Sequence, residues 1–473
     1  MSDPIVTTTE GAVRGRTNGI AHVFLDIPYA APPSGTARFA APAPHRPWPG
    51  IRDATRPGPT APQPRRDGFG TLDMSPYFAP GWVPGADYLT ATVYAPARAR
   101  NSPVMVFVHG GGFVSGSTRA PLYDGTAFAR DDVVLVTVNY RLGITGFLDL
   151  PGAPANRGLL DILAALRWVQ RNIAAFGGDP GNVTLFGQSA GATMVSAILA
   201  MPRASELFHR AISQSGNSSG AFSPEQAARV THAAGAALGI EPTVSGFAEI
   251  PDEHLIALMP ELTGLDLRTA SRSDPLAGLS PFSLVLDRQP VDAVAEGVGA
   301  QVPLIIGTNT QEANLYLVPH RISAITTQGE LHATAATVAT DPDALVADYR
   351  ARYPRANPGE LQSAVLGDAL FGTGSRRLAE AHSAHRSAPT YTYEFAWQSP
   401  ALDGRLGAAH TVELPFVFDC PALPALRGPG ALLGPDTPPA ALAAQMHGAW
   451  VRFAHTGAPG WTSSHTHRFT AAG

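Results

Sequence analysis

The 473-residue sequence contains no lysine; all 33 of its basic residues are arginine. Schiff-base catalysis, pyridoxal-phosphate anchoring and a Walker-A phosphate loop each require a lysine, so these classes are excluded. Cysteine is nearly absent too. With Cys420 alone no intrachain disulfide forms, which fits a reducing compartment. Only 15% of residues are charged and the net charge is −5, without the clustered basic face that nucleic acid demands. No apolar run approaches the ~18–20 residues needed to span a bilayer. Met1 to Gly11 lacks the basic-then-apolar layout of a signal peptide. The expectation is a cytoplasmic protein with no membrane span and no nucleic-acid partner.

What remains is a chain with 44% apolar residues, long enough to bury a large core. Short β-branched or aromatic runs alternate with helical spacing, the pattern of a mostly parallel sheet flanked by helices. Ile5 to Tyr29 reads as short antiparallel strands turning at Gly11 and Gly19. Residues 31–86, rich in Pro and Gly, read as an irregular surface stretch at the mouth of a site. Tyr88–Tyr94, Val104–Val108 and Val133–Asn139 are nearly continuous in apolar character, as strands buried on both faces are. Further strands are expected at Val183–Phe186, Arg210–Ser213, Val302–Gly307 and Thr390–Phe395. Helices are expected at Leu159–Phe176, Ala190–Met201 and Ala440–His455. Residues 221–300 read as helical with breaks at Pro242, Pro251 and Pro260, and 328–386 as helical again.

Gly187-Gln188-Ser189-Ala190-Gly191 matches G-x-S-x-G, and its context is what gives it weight. A strand runs straight into it and a helix-forming run of small residues follows. Such a turn strains the serine backbone and lifts its hydroxyl clear of the sheet. The helix N-terminus then faces the oxyanion that acyl transfer creates. His109-Gly110-Gly111-Gly112-Phe113, directly after an apolar strand, supplies backbone N–H groups that reach such an oxygen closely. Gly111, Gly112 and Ala190 are the candidate donors. His109 reads as structural.

The chain order Ser, acid, His, with each residue after a strand, admits Glu312 and His410. Spacing alone does not single them out from 38 acids and 15 histidines. His465 and His467 have no nearby partners at ligand spacing and read as a solvated tail, so no metal and no cofactor are expected.

Beyond these motifs the sequence resembles the type-B carboxylesterase family, which includes bacterial para-nitrobenzyl esterases and cholinesterases. The resemblance rests on Val23–Ala30, Arg38-Phe39, Asp87-Tyr88-Leu89 with Val93–Pro96, the glycine run 109–113 and Asn139–Gly143. It continues through Gly158–Pro180 to the elbow, then Phe208–Ile212, Gln214-Ser215-Gly216 and Glu413–Phe416. It implies an α/β-hydrolase fold over 1–473 as one catalytic domain, with residues 221–300 and 320–386 as helical regions lining or covering the pocket. It also implies a serine carboxylesterase acting on small-molecule esters through an acyl-enzyme. Ser189 is implied as nucleophile, Glu312 as acid and His410 as base, with Gly111, Gly112 and Ala190 as oxyanion donors. Ser215 matches a polar position near the triad, and Phe222 an aromatic of the acyl pocket. Arg141 and Asp161 look like a structural ion pair.

Three departures stand out. Gln188 replaces the usual acid before the nucleophile, which removes a negative charge and disfavours cationic substrates. Ala313 replaces a glycine after the acid. Tyr88 and Ala61 stand where family disulfide cysteines would be, which favours an intracellular, bacterial type of member. Two other readings keep the same fold. One is an acyl-transfer or ring-forming enzyme using the same triad on a dedicated metabolite; the other is a binding protein without catalysis.

Overall fold

The computed structural model describes residues 3–471. Met1 and Ser2, which open both the N-terminal segment and the expected 1–473 domain, and Ala472 and Gly473 at its end lie outside the described residues.

A ten-stranded sheet dominates. In chain order its strands are β1 (Arg16–Thr17), β2 (Ala21–Pro28), β3 (Thr90–Pro96), β4 (Ser102–Val108) and β5 (Val134–Val138). They continue with β6 (Gly178–Gln188), β7 (Arg210–Gln214), β8 (Leu304–Asn309), β9 (Thr390–Phe395) and β10 (His467–Phe469). Across the sheet the order is β10-β9-β8-β7-β6-β4-β5-β3-β2-β1. Every neighbouring pair from β10 to β5 is parallel, and β3, β2 and β1 close the edge with antiparallel pairs. Parallel neighbours require crossovers, so helices cover both faces and the central strands are apolar on both.

The side-chain period of two sorts the core. Val104, Val106 and Val108 face one apolar cluster, while Met105 and Phe107 face the other. Helix α1 (Arg157–Asn172) covers the first face with Leu159, Ile162, Leu166 and Val169. The C-terminal helix, Ala440–Thr456, covers the second with Leu442, Met446, Trp450 and Phe453. These helical spacings make one apolar stripe on each helix. Arg141 and Asp161, both fully buried, pair at 2.7 Å and tie the chain after β5 to α1. Arg141 also donates to the carbonyl of Ala40 at 2.6 Å.

The structure corrects the sequence reading in three places. The helices of the 221–300 region end at Glu261 and resume at Pro290; residues 262–289 are largely irregular. Pro260 does not break its helix but sits in the last turn of Asp252–Glu261. Proline lacks the N–H that would bond the carbonyl four residues back, and the helix ends one residue later, at Glu261. His467 is not in a solvated tail. It lies on β10, pairs with Tyr393 and stacks on Trp461 at 4.7 Å. An edge strand of three residues is too short to leave a periodic signal.

Candidate active site

The carboxyl ends of the parallel strands converge on one cavity of about 320 Å³. That edge is where ligands bind in open α/β sheets. At the end of β6 the chain turns sharply through Ser189, whose φ of 59° lies in a region that side-chain-bearing residues rarely occupy. The Ser189 N–H donates to Gln214 O at 2.9 Å, and Ala190 opens the helix Ala190–Leu199. The turn closes only because position 191 is glycine: a Cβ there would stand 2.1 Å from Val108 O. Strand β4 ends beside it in Gly110-Gly111-Gly112. Gly111 has φ of 120°, and a Cβ on it would stand 1.9 Å from Ser115 O, so no other residue holds this loop. Gly110, Gly111, Gly112, Ser189, Ala190 and His410 all line the cavity.

His410 and Glu312 arrive from the loops after β9 and β8. Glu312 Oε2 lies 2.6 Å from His410 Nδ1, with both side chains nearly fully buried. The other carboxylate oxygen accepts from Ser215 Oγ at 2.5 Å and from the Asn309 N–H at 2.7 Å. The His410 N–H donates to the Glu312 carbonyl at 3.1 Å, which locks the two loops together. With Nδ1–H donating to Glu312, Nε2 is left as an acceptor. The Gln188 amide nitrogen, not Ser189 Oγ, makes the hydrogen bond to that Nε2, at 3.2 Å. In ligand-free sites such catalytic hydrogen bonds are often long or poorly aligned and tighten only in the substrate complex.

The structure therefore brings Ser189, Gln188, His410, Glu312, Ser215, Gly111, Gly112 and Ala190 together. It does not bring Phe222. That ring is buried in the core and does not line the cavity, and its backbone pairs beside Val285 through hydrogen bonds with Leu284 and Leu286. Its segment leaves the elbow region and runs into the core beside the irregular stretch 262–289, a path that residue spacing does not report.

Three site residues had no assigned role in the sequence. Phe371, on a π-helical turn at Asp368–Gly372, stacks on His410 at 4.1 Å. The wider turn presses the ring inward, and such bulges recur at functional sites. Glu413 is fully buried, held by Asn309 Nδ2 at 2.7 Å and Gln214 Nε2 at 3.4 Å. Burial, with the Glu312 charge nearby, pushes its carboxyl up to about 7. Arg66 reaches the cavity from the irregular 31–86 stretch. Of the three, Glu413 carried the clearest signal, an acid in an otherwise apolar run. His109 is buried against Tyr140 at 4.4 Å, and desolvation lowers its pKa to about 4. It does not line the cavity. Among the described residues no group of three or more His, Cys, Asp or Glu is arranged to hold a metal ion, and no helix is long and apolar enough to cross a membrane.

Residues 2–471 match the family model described as Carboxylesterase family. The chain is 37% identical to the para-nitrobenzyl esterase of Bacillus subtilis (strain 168), over 97% of this chain and 91% of that protein. It is 34% identical to the phenmedipham hydrolase of Pseudarthrobacter oxydans, again over 97% and 91%. A solved Geobacillus stearothermophilus carboxylesterase superposes with a TM-score of 0.83 at 34% identity, over 99% of this chain and 96% of that one. At that likeness the fold is the α/β-hydrolase fold, a large mostly parallel sheet with flanking helices.

Proposed function

We propose that this chain, which belongs to the carboxylesterase family and is a carboxylic ester hydrolase, works through Ser189 as nucleophile, His410 as general base and Glu312 as the acid that orients the base. One observation carries the reading. The Glu312–His410 contact of 2.6 Å fixes the imidazole tautomer on the rim of the cavity that Ser189 enters from its strained elbow. His410 Nε2 takes the Ser189 proton as Oγ attacks the ester carbonyl. The tetrahedral oxyanion sits on the N–H groups of Gly111, Gly112 and Ala190, which need no reorganisation at that moment. The alcohol leaves with the proton from His410. Water, deprotonated by the same imidazole, then hydrolyses the acyl-enzyme and releases the acid. Ser215 and Asn309 hold the Glu312 carboxylate, and Gln188 holds the imidazole edge between turnovers.

The substrates in this reading are small-molecule esters. Residues 221–300 and 320–386 form walls and cover of the cavity; Met259, Pro260, Ser280, Leu370 and Phe371 among its lining support this. The single cysteine, Cys420, unpaired and partly buried, supports work in the reducing cytoplasm. The test is hydrolysis of para-nitrophenyl esters of increasing acyl length by the wild type and Ser189→Ala. Serine-dependent turnover supports the reading. Equal turnover by the two proteins contradicts it.

A further inference from the structure

The cavity is lined by cations and by no acid. The charged or titratable nitrogen-bearing side chains that line it are Arg65, Arg66 and His410, and no aspartate or glutamate does. Arg65 points outward, 84% exposed and ion-paired to Asp67. Arg66 is half-buried and differs in every respect. Among the described residues no carboxylate lies within ion-pair distance of it. Its Nη1 makes two long contacts, 3.3 Å to Gly111 O and 3.5 Å to Ser115 Oγ. A guanidinium carries five N–H donors, and Nε and Nη2 have no acceptor among the described residues. The group lies against two aromatic faces, 4.6 Å from the Phe69 centroid and 5.5 Å from that of Phe78. The two ring faces flank the guanidinium itself. A cation drawn out of water without a counter-charge carries a desolvation penalty, and burial lowers the Arg66 pKa accordingly. Arginine nevertheless stays protonated.

Its position relative to the reacting centre is close. A Cβ on Gly112 would stand 3.6 Å from Arg66 Nη1, so the guanidinium borders the loop that supplies the candidate oxyanion donors. Position 188, which lines the same cavity, is a neutral Gln. A negative group on a bound ester would meet an oriented, partly dehydrated fork of donors and no repelling acid.

We propose that Arg66 selects substrates by binding an anionic group on the ester, so that the preferred substrates are esters carrying a free carboxylate. This rests on the assignment of Ser189 and its cavity as the ester-hydrolysing site. A planar guanidinium grips a carboxylate through two parallel N–H···O contacts. A charged hydrogen bond of this kind corresponds to about a tenfold to hundredfold preference.

Two matched pairs of esters test it. Mono-para-nitrophenyl glutarate against para-nitrophenyl pentanoate places the carboxylate on the acyl arm. 4-Acetoxybenzoate against methyl 4-acetoxybenzoate places it on the alcohol arm. The readout is the anionic-to-neutral ratio of kcat/KM within each pair. In the wild type at least one ratio is expected to exceed about tenfold, and to fall as salt is raised. Arg66→Met, which keeps an unbranched apolar stem and removes the charge, should collapse that ratio, and Arg66→Lys should keep part of it. Ratios near one in both pairs, or a ratio unmoved by Arg66→Met, would overturn the proposal while leaving the esterase assignment standing. Absence of Ser189-dependent turnover on all four esters would instead overturn the site assignment, and this proposal with it.

Discussion

Phe371 lies flat on His410, with ring centroids 4.1 Å apart and planes 14° from parallel. Glu312 fixes the imidazole from its edge, and Phe371 fixes it from its face. In the proposed mechanism the ring also offers its π-cloud to the imidazolium formed when His410 takes the Ser189 proton. Phe371→Ala should lower kcat by about tenfold or more, as mispositioned catalytic groups do, while Phe371→Tyr should recover most of the loss. Steady-state kinetics of the two variants beside the wild type check this. Equal losses in both would show that ring stacking is not the cause.

Glu312 receives Ser215 Oγ, the Asn309 N–H and His410 Nδ1. Three donors suit an ionised carboxylate and leave no room for an amide NH₂ without a donor–donor clash. Glu312→Gln should therefore reduce kcat by roughly 10⁴-fold through loss of the imidazole tautomer and its charge partner. A variant that folds with the wild-type circular dichroism spectrum and retains full turnover would remove Glu312 from the mechanism.

Gln188 places a neutral amide 3.2 Å from His410 Nε2. Gln188→Glu would put a carboxylate there and favour the protonated imidazole, which cannot act as base. The acidic limb of the kcat/KM profile should move to higher pH by about one unit. The substitution should also weaken any preference for anionic esters. A profile superimposable on the wild type would show that residue 188 does not reach the imidazole in solution.

Burial, with the Glu312 charge nearby, raises the Glu413 carboxyl to about 7, well above an exposed glutamate at ~4.5. A raised acid contributes its stability below the unfolded value and loses it as pH rises through the folded one. The wild type should thus lose stability between about pH 4.5 and pH 7 from this group. Glu413→Gln, which cannot ionise, should escape that loss. The thermal midpoint of the variant relative to the wild type should be higher at pH 8 than at pH 5. A difference that does not change with pH would exclude ionisation of Glu413 as its source.

The elements that strong local chemistry dictates were legible in the sequence. The elbow at 187–191 and the glycines at 110–112 announce themselves, because tight backbone approach allows almost no other residues. Strand β9 was legible to the residue, because Thr390–Phe395 alternates between apolar and polar. Glu312 and His410 needed the family resemblance, since a lone acid or histidine in a loop carries no periodicity. Phe222 was misplaced for the same reason: a single aromatic in a loop does not reveal which side of the wall it faces. Phe371 and Arg66 were not legible. Each reaches the cavity by a tertiary accident of path, one from a π-helical turn and one from an irregular Pro-rich stretch.

The most direct test of the central claim is covalent labelling with a fluorophosphonate, followed by mass spectrometry of the digested protein. The account predicts a single stoichiometric adduct on the peptide bearing Ser189, lost in Ser189→Ala and strongly slowed in His410→Ala. A folded wild-type protein that takes no label, or takes it at another serine, would contradict it.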